Sequence, residues 1–387
     1  MQAVLECCCG VDVHKDMIEA CIIRGIDSPQ YVRKQFSTMQ NQLLEFVQWL
    51  YENDCYHIAM ESTGVYWRPL YEAIEQFSPY YENIIVANAH HMRNVPGKKS
   101  DVKDAEWIAT LLQHGLLEPS FVPDRAIRNL REYSRSYKNY IGEKSRCLNR
   151  LEKFLQTHGF KLSSVLSDIN SVSGIRLLTL LAEKGSLSVE DVKKAVSSNT
   201  KHSALEIQMA VCGSLNAAER FLLSDFLDQL SSIQNHLDRI LAMMASISQP
   251  YKKVLDQLDS IPGIDITAAM LILAEIGPSP QVPFKSSAHL CSWAGLSPRN
   301  DQSAGKISSR KIMPGNPYIK SILCQSAWAA VRTRNNPFGI WIWSHQGKIG
   351  KKKAIIAVSR KILAIAYHLI ATDQFYDNEI SMKPFLP

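Results

Sequence analysis

The sequence predicts an N-terminal α/β domain, a long helical coiled-coil middle and a mainly α C-terminal domain with a helix-hairpin-helix-like element. Three patterns indicate this order. Short apolar runs alternate with helical spacing, long charged stretches with apolar residues every three or four positions follow, and an Ile-Pro-Gly-Ile turn then joins two apolar helical segments. The 387 residues, 46% of them hydrophobic, suffice for two or three domains and a smaller segment. We place the boundaries at 1–124, 125–257, 258–345 and 346–387.

The composition argues against membrane-spanning and secretory segments. No run of 18 apolar residues occurs, so we expect no transmembrane helix. The N-terminus lacks a basic segment, and Asp12, Lys15 and Asp16 interrupt its first apolar run, which argues against a signal peptide. The nine cysteines form no Cys-x-x-Cys pair and fit free thiols in a reducing cytosol. We therefore expect a cytoplasmic protein.

The first apolar run, from Cys7 to Ile23, has the composition of a β-strand but carries Asp12 between Val11 and Val13. Carboxylates are depleted in strands, and burying one without a partner costs several kcal/mol. A hard divalent cation ligated by oxygen would compensate for that cost. An edge-strand aspartate that faces water is the alternative.

Three more acids stand at the ends of predicted elements. Glu61 ends a short apolar strand, and a second strand follows at Ile84 to Ala87. Ser100 is a plausible helix N-cap, and Asp101 and Asp104 then fall on one face of the first helical turn. The helix dipole alone accounts for one such aspartate. Carboxylates that converge at one sheet edge would suit two cations about 4 Å apart on a phosphodiester, so metal-dependent phosphoryl chemistry is indicated.

The middle of the chain is helical and charged from Arg125 to about His158. A heptad of apolar residues then runs from Leu223 to Ile247 without interruption and predicts a coiled coil, with an amphipathic helix on an ordinary core as the alternative. Between these helices, residues 163–203 are rich in serine and turns, and their role cannot be read from the sequence.

The segment LDSIPGIDITAAMLILAEIG, residues 258–277, places an Ile-Pro-Gly-Ile turn between helical segments. Helix-hairpin-helix modules use such a turn to contact a phosphate through backbone N–H groups at a helix N-terminus. A plain αα-hairpin explains the pattern nearly as well.

Residues 302–372 contain no acidic residue and twelve lysines and arginines, which indicates a polyanion partner. A membrane surface is the alternative, but Gly, Pro and Asn interrupt the block. Trp341 and Trp343 lie in it and suit looped or single-stranded nucleic acid, or belong to the core. The candidate nucleic-acid-binding residues are Arg299, Lys306, Arg310, Lys311, Lys320, Lys351, Lys352 and Lys353.

Ser303 lies in a stretch punctuated by glycine and proline, and Gly305 and Lys306 follow it within three residues. A serine on an exposed turn beside cations is placed to meet a phosphate. Most such serines bond the backbone instead, so the residues alone leave both roles open.

Five stretches carry a resemblance to a known family: GVDVHKD, MESTGVYW, KKSDVKDAEWIA, the IPGI hairpin and GLSPRNDQSAGK with its following PGN. They resemble the DEDD transposases of the family known for bridge-RNA-guided recombination. The match covers both ends of the chain in the right order and is weak in the middle. It implies a RuvC-type, ribonuclease-H-like N-terminal domain and a C-terminal transposase domain.

The resemblance assigns the family's four acids and its serine nucleophile to particular positions. The acids fall on Asp12, Glu61, Asp101 and Asp104, which would bind Mg²⁺ or Mn²⁺, and the nucleophile falls on Ser303.

This chain departs from the family pattern near the serine and at two other positions. It has Ser100 where many relatives have Thr, Lys320 where they have Arg, and Ala304 between the serine and the glycine. Ser308 and Ser309 are therefore alternative nucleophiles.

The resemblance implies a recombinase that excises and inserts its own mobile element. Its partners would be donor and target DNA, a structured guide (bridge) RNA and further copies of itself as a dimer or tetramer, with no membrane. It would work in a prokaryotic cytoplasm, at the nucleoid. Two other classes remain open: a junction nuclease that uses metal and water alone, and a nucleic-acid-binding protein without catalysis.

Overall fold

The computed structural model describes residues 3–62, 64–77, 83–88, 104–197, 200–298, 301–303, 306–309, 311–333 and 336–378, with the backbone alone at 301–303 and 306–309. The chain folds into two compact units, residues 1–122 and 123–387. The first contains a mixed α/β sheet and the second is mostly helical, as the sequence predicted.

A five-stranded sheet in the order β3-β2-β1-β4-β5 forms the first unit. Its strands are β1 (Cys7–Val13), β2 (Met17–Arg24), β3 (Gln30–Ser37), β4 (His57–Glu61) and β5 (Asn83–Ala87). β1 pairs antiparallel with β2 and parallel with β4, and β4 pairs parallel with β5. The carboxyl ends of β1, β4 and β5 therefore meet at one edge of the sheet.

Helices cover both faces of this sheet: α1 (Gln40–Glu52), α2 (Trp67–Glu75) and α3 (Asp104–Gln113). Because side chains alternate along a strand, each strand contributes to two cores. Val11 and Met60 pack in the core that contains residues of α1 and α2, whereas Cys8 and Ala59 pack in the core that contains residues of α3.

The second unit is built from helices and one short hairpin. The helices are α4 (Arg125–Thr157), α5 (Val172–Lys184), α6 (Val189–Ala195), α7 (Ala204–Ala210), α8 (Ala217–Ser248), α9 (Lys252–Asp259), α10 (Ile266–Ile276), α11 (Ser287–Trp293), α12 (Pro317–Ala330), α13 (Pro337–Ile349) and α14 (Lys351–Thr372). The hairpin strands are β6 (Asp301–Ser303) and β7 (Lys306–Ser309).

The two long helices α4 and α8 pair within the chain, and they run antiparallel. The Tyr140 ring stacks on His236 at 5.1 Å, and the Phe154 ring lies 5.8 Å from Phe226. The heptad residues Leu223, Leu230, Leu237 and Met244 are buried at intervals of seven, whereas the other heptad positions are half-exposed. The heptad pattern of α8 thus has a helical partner in its own chain.

The serine-rich stretch at 163–203 contains α5 and α6 and leads into α7. Three of its serines are N-caps: Ser171 accepts a hydrogen bond at the start of α5, Ser188 at α6 and Ser203 at α7. Ser188 and Ser203 form capping boxes with Asp191 and Glu206. Serines that gave this segment the composition of a loop therefore stand at the starts of helices.

The Ile-Pro-Gly-Ile turn joins α9 to α10, and Gly263 in it has φ +90°. A Cβ at Gly263 would lie 2.3 Å from the carbonyl oxygen of Ser326, so the turn packs directly on the backbone of α12.

Among the described residues, α14 is long and apolar enough to cross a membrane, but 67% of its most apolar stretch is buried inside the protein. It serves as the core helix of this unit, in contact with α11, α12 and α13.

Candidate active site

Asp12 lies near the end of the central strand and is 8% exposed. Its strand neighbours Val11 and Val13 are buried in the core under α1 and α2, so Asp12 points to the opposite face, which α3 covers. The prediction of a carboxylate inside an apolar strand is therefore confirmed. The alternative, an edge-strand aspartate that faces water, is wrong because β1 is paired with β2 on one side and with β4 on the other.

The register of β1 and β4 brings Glu61 beside Asp12. Val11 pairs with Met60, so one residue further along both strands Asp12 is level with Glu61. Level residues of adjacent strands share a face, and Glu61 is half-buried at the carboxyl end of β4. Both side chains therefore project on the α3 side of the sheet.

Asp104 is the first residue of α3, the helix that covers this face of the sheet. Gly10 lets α3 lie directly on the sheet, since a Cβ there would be 2.1 Å from the backbone nitrogen of Ala109 and 2.3 Å from the carbonyl oxygen of Ala105. Asp104 immediately precedes Ala105, so this close approach anchors the N-terminus of α3 near the end of β1. Asp101 and Ser100 lie outside the described residues.

The electrostatics of Asp12 reflect this arrangement. Burial raises the pKa of Asp12 above its ordinary value, and the nearby charges of Asp104 and Glu61 raise it further. His14 acts in the opposite direction, with its Nε2 atom 2.9 Å from Oδ2 of Asp12. A positive charge bound beside Asp12 would favour its ionised form further, in the same direction as His14.

The donor set fits a hard divalent cation, because all three side chains offer carboxylate oxygens. In the part of the chain that the structure describes, which lacks Asp101, no group of three or more His, Cys, Asp or Glu side chains lies close enough to hold a metal ion. Asp12, Glu61 and Asp104 thus share one face and one end of the sheet, and a closed coordination sphere would need further ligands or a movement of these side chains.

Glu19 is an acid near this site that the sequence reasoning passed over. It pairs with Asp12 across β1 and β2 and shares its face. Its Oε1 atom accepts a hydrogen bond of 2.9 Å from Gln35 on β3, so its charge already has a polar partner. The sequence signal was the same as for Asp12, a carboxylate within a strand-like apolar run.

Ser303 ends β6 and pairs with Lys306 of β7, in an antiparallel hairpin. Where the sequence predicted an exposed turn, the backbone forms a short two-stranded hairpin, and Ser303 is the last residue of its first strand. Ser308 and Ser309 lie on β7 of the same hairpin. Arg299 and Arg310 lie outside the described residues, as does the side chain of Lys306.

A buried ion cluster holds the segment that follows the hairpin. Glu275 of α10 is fully buried and receives hydrogen bonds from Arg135 at 3.1 and 3.2 Å and from Nδ2 of Asn316 at 2.6 Å. Oδ1 of Asn316 in turn caps α12 by accepting from the backbone N–H groups of Tyr318 and Ile319. The Asn of the PGN motif is thereby fixed to both α10 and α4.

Comparison with known proteins covers both of these regions. A family model named DEDD_Tnp_IS110 and described as "Transposase" matches residues 9–160, and a second described as "Transposase IS116/IS110/IS902 family" matches residues 255–339. The two matches together span more than half of the chain and include Asp12, Glu61, Asp104 and Ser303. The chain belongs to the IS110 family of transposases.

Relatives of this transposase include proteins from several bacteria. It is 22% identical to a pilin gene-inverting protein of Moraxella bovis over 379 residues, which is 96% of this chain and 98% of the relative. It is 30% identical to a putative transposase of Sinorhizobium fredii over 125 residues, 31% of this chain and 32% of the relative. These relatives and the family matches make the chain a DNA transposase or recombinase.

The predicted basic residues of the transposase lie on different elements of the second unit. Lys311 is exposed after the hairpin, and Lys320 is half-buried in α12. The exposed residues Lys351, Lys352 and Lys353 form the first turn of α14, which has no side-chain N-cap. Cations are disfavoured at a helix N-terminus and anions are favoured. Three lysines there are locally unfavourable unless an anion such as a phosphate binds next to them.

Proposed function

We propose that the transposase cuts and rejoins DNA strands of its own mobile element by metal-assisted phosphoryl transfer, through a covalent bond between Ser303 and the DNA. The observation that carries the proposal is the placing of Asp12, Glu61 and Asp104 on one face at one end of the sheet. The transposase activity itself follows from the family, whereas the roles of individual residues are the proposal.

Asp12, Glu61 and Asp104 would hold Mg²⁺ or Mn²⁺, with Asp101 added on the strength of the family resemblance. A bound divalent cation neutralises charge on the phosphoryl oxygens and lowers the pKa of a coordinated hydroxyl or water. The raised pKa of Asp12 supports this role, because a carboxylate that is costly to ionise alone gains most from a cation.

Ser303 would be the nucleophile. Its Oγ forms a bond to the phosphorus, the bond from phosphorus to one sugar oxygen of the strand breaks, and the proton of the serine hydroxyl passes to that leaving oxygen. The reverse exchange with a sugar hydroxyl of another strand rejoins the DNA and frees the serine. One phosphoester replaces another in each step, so no ATP is consumed.

The name of the Moraxella bovis relative, a pilin gene-inverting protein, supports a reaction that rejoins strands, because inversion of a gene requires both cutting and joining. We further propose a structured guide RNA as the source of sequence choice, since the family resemblance implies one. We also propose that the protein acts as a dimer or tetramer in the prokaryotic cytoplasm, at the nucleoid. The lysines of residues 302–372, the basic block, would bind phosphates of the nucleic acid.

The test is a cleavage assay with the wild-type protein, DNA that carries the element's ends, and RNA transcribed from the same element. We expect strand cleavage with Mg²⁺ or Mn²⁺ and none with EDTA. On denaturing gels, part of the cleaved DNA should migrate slowly and return to its normal position after protease digestion. Metal-dependent cleavage without such an adduct would indicate a nuclease in which water attacks, and binding without cleavage would indicate a protein that only binds nucleic acid.

A further inference from the structure

Trp343 of α13 is 75% exposed, and Ile340, one turn earlier on the same face, is 68% exposed. Tryptophan is on average a highly buried residue, because its large apolar surface is costly to leave in water. The opposite face of α13 is anchored by the buried residues Phe338 and Ile342. The helix is thus well packed on one side and presents two large apolar side chains to solvent on the other.

Two neighbouring tryptophans are covered, which sets Trp343 apart. The ammonium group of Lys351 lies 4.9 Å from the ring centre of Trp328, and that of Lys361 lies 4.3 Å from the ring centre of Trp341. His345 also stacks on Trp341 at 4.2 Å. Within the described part of the chain, Trp343 has no ring, cation or hydrogen-bond partner, so its indole face is open.

The charges of the surrounding sequence indicate what would cover this face. Lys348 on α13 and the lysines at 351–353 on α14 are exposed, and the sequence from 302 to 372 has no acid. A partner must therefore be negatively charged and also offer a flat apolar surface. A nucleic-acid strand whose bases are unpaired meets both requirements, because phosphates and the faces of the bases are both accessible.

We propose that Trp343, flanked by Ile340, is a stacking platform for an unpaired base of DNA whose backbone is held by the neighbouring lysines. The proposal rests on DNA being the partner of the basic block, as put forward under Proposed function. The face lies beyond residues 255–339, the segment that matches the second family model. DNA strands that are being cut and exchanged lose pairing locally, which is the state such a platform would hold.

The experiment measures binding of the full-length protein to a fluorescently labelled oligothymidylate of about 20 nucleotides, compared with an abasic strand of the same length. Trp343→Ala should weaken binding of the normal strand by about 5- to 150-fold, the range for loss of one stacked base. Trp343→Phe should retain most of the affinity. Phe221→Ala is the matched control, since Phe221 is a 72% exposed aromatic residue of α8 outside the basic block.

Two further comparisons separate stacking from charge. On the abasic strand, wild type and Trp343→Ala should bind equally, because no base is left to stack. Replacing Lys351, Lys352 and Lys353 by alanine should instead weaken both strands. It should also flatten the dependence of log affinity on log salt by close to one unit for each phosphate that the substituted lysines no longer neutralise. Trp343→Ala should leave that salt slope unchanged.

Several results would overturn the proposal. Equal affinity of wild type and Trp343→Ala for the normal strand excludes stacking and leaves metal-dependent cleavage intact as the separate test of the proposed function. A lower molecular mass of Trp343→Ala in light scattering assigns the face to a second copy of the chain, and loss of binding to anionic vesicles alone assigns it to a membrane surface. Failure of the wild type to bind the strand at all removes DNA as the partner of this block.

Discussion

Ser303→Ala is expected to abolish the covalent protein–DNA adduct while leaving non-covalent binding of DNA unchanged. Alanine lacks the hydroxyl that would bond to phosphorus, and removal of a nucleophile lowers rates by on the order of 10⁴-fold or more. Because the side chain is small and stands at the end of β6, its shortening should not disturb the fold. The measurement is the amount of protease-sensitive, slowly migrating DNA on a denaturing gel with Mg²⁺ present.

Ser308→Ala and Ser309→Ala are the matched controls for this prediction, since both serines lie on β7 of the same hairpin. Each should form the adduct at the wild-type level. An adduct that persists in Ser303→Ala and disappears in one of these two variants would move the nucleophile to that serine. Persistence in all three would place the nucleophile outside the hairpin.

Asp12→Asn is expected to lower the rate of metal-dependent strand cleavage by about 10³-fold or more, with DNA binding retained. Asparagine keeps the shape of the side chain but removes the charge that would hold a cation between Asp12, Glu61 and Asp104. Asp16→Asn is the control, because Asp16 is exposed in the turn between β1 and β2, four residues away. The measurement is the initial rate of cleavage, and a wild-type rate in Asp12→Asn would exclude Asp12 from the catalytic site.

The elements of the candidate site that the sequence predicted correctly are those with a local signal. Asp12 lies in an apolar run and Glu61 at the end of another, and both patterns describe strands that the structure contains. The sequence could not specify the parallel register that makes the two residues level, since that register depends on pairing over a distance of about 50 residues in the chain. The fit of α3 on Gly10 is likewise a long-range interaction without a local pattern.

Two features of the second unit escape prediction for different reasons. Glu275 carries a readable signal, a single acid in the apolar helix ITAAMLILAEI, but its partners Arg131, Arg135 and Asn316 come from distant parts of the chain. The serine-rich segment at 163–203 resembles a run of turns because serine favours both loops and helix N-caps. Only the structure distinguishes these, since the capped helices α6 and α7 are seven residues each.

A cation site formed by Asp12, Glu61 and Asp104 is central to the proposed mechanism, and it should cost stability when no cation is bound. The pKa of Asp12 is raised in the folded protein, so the folded state binds this proton more tightly than the unfolded state does. The group therefore destabilises the fold as pH rises past the ordinary aspartate range, and that cost is complete above the folded pKa. Asparagine at this position has no such cost.

Thermal unfolding of wild type and Asp12→Asn near pH 7, with and without Mg²⁺ or Mn²⁺, tests the cation site most directly because it needs no DNA or RNA. Without metal, we expect Asp12→Asn to melt at a higher temperature than wild type. Metal should raise the melting temperature of wild type, as binding to the native state alone requires, and leave Asp12→Asn nearly unchanged. A lower melting temperature for metal-free Asp12→Asn, or an equal rise with metal in both proteins, would contradict a cation site at these three acids.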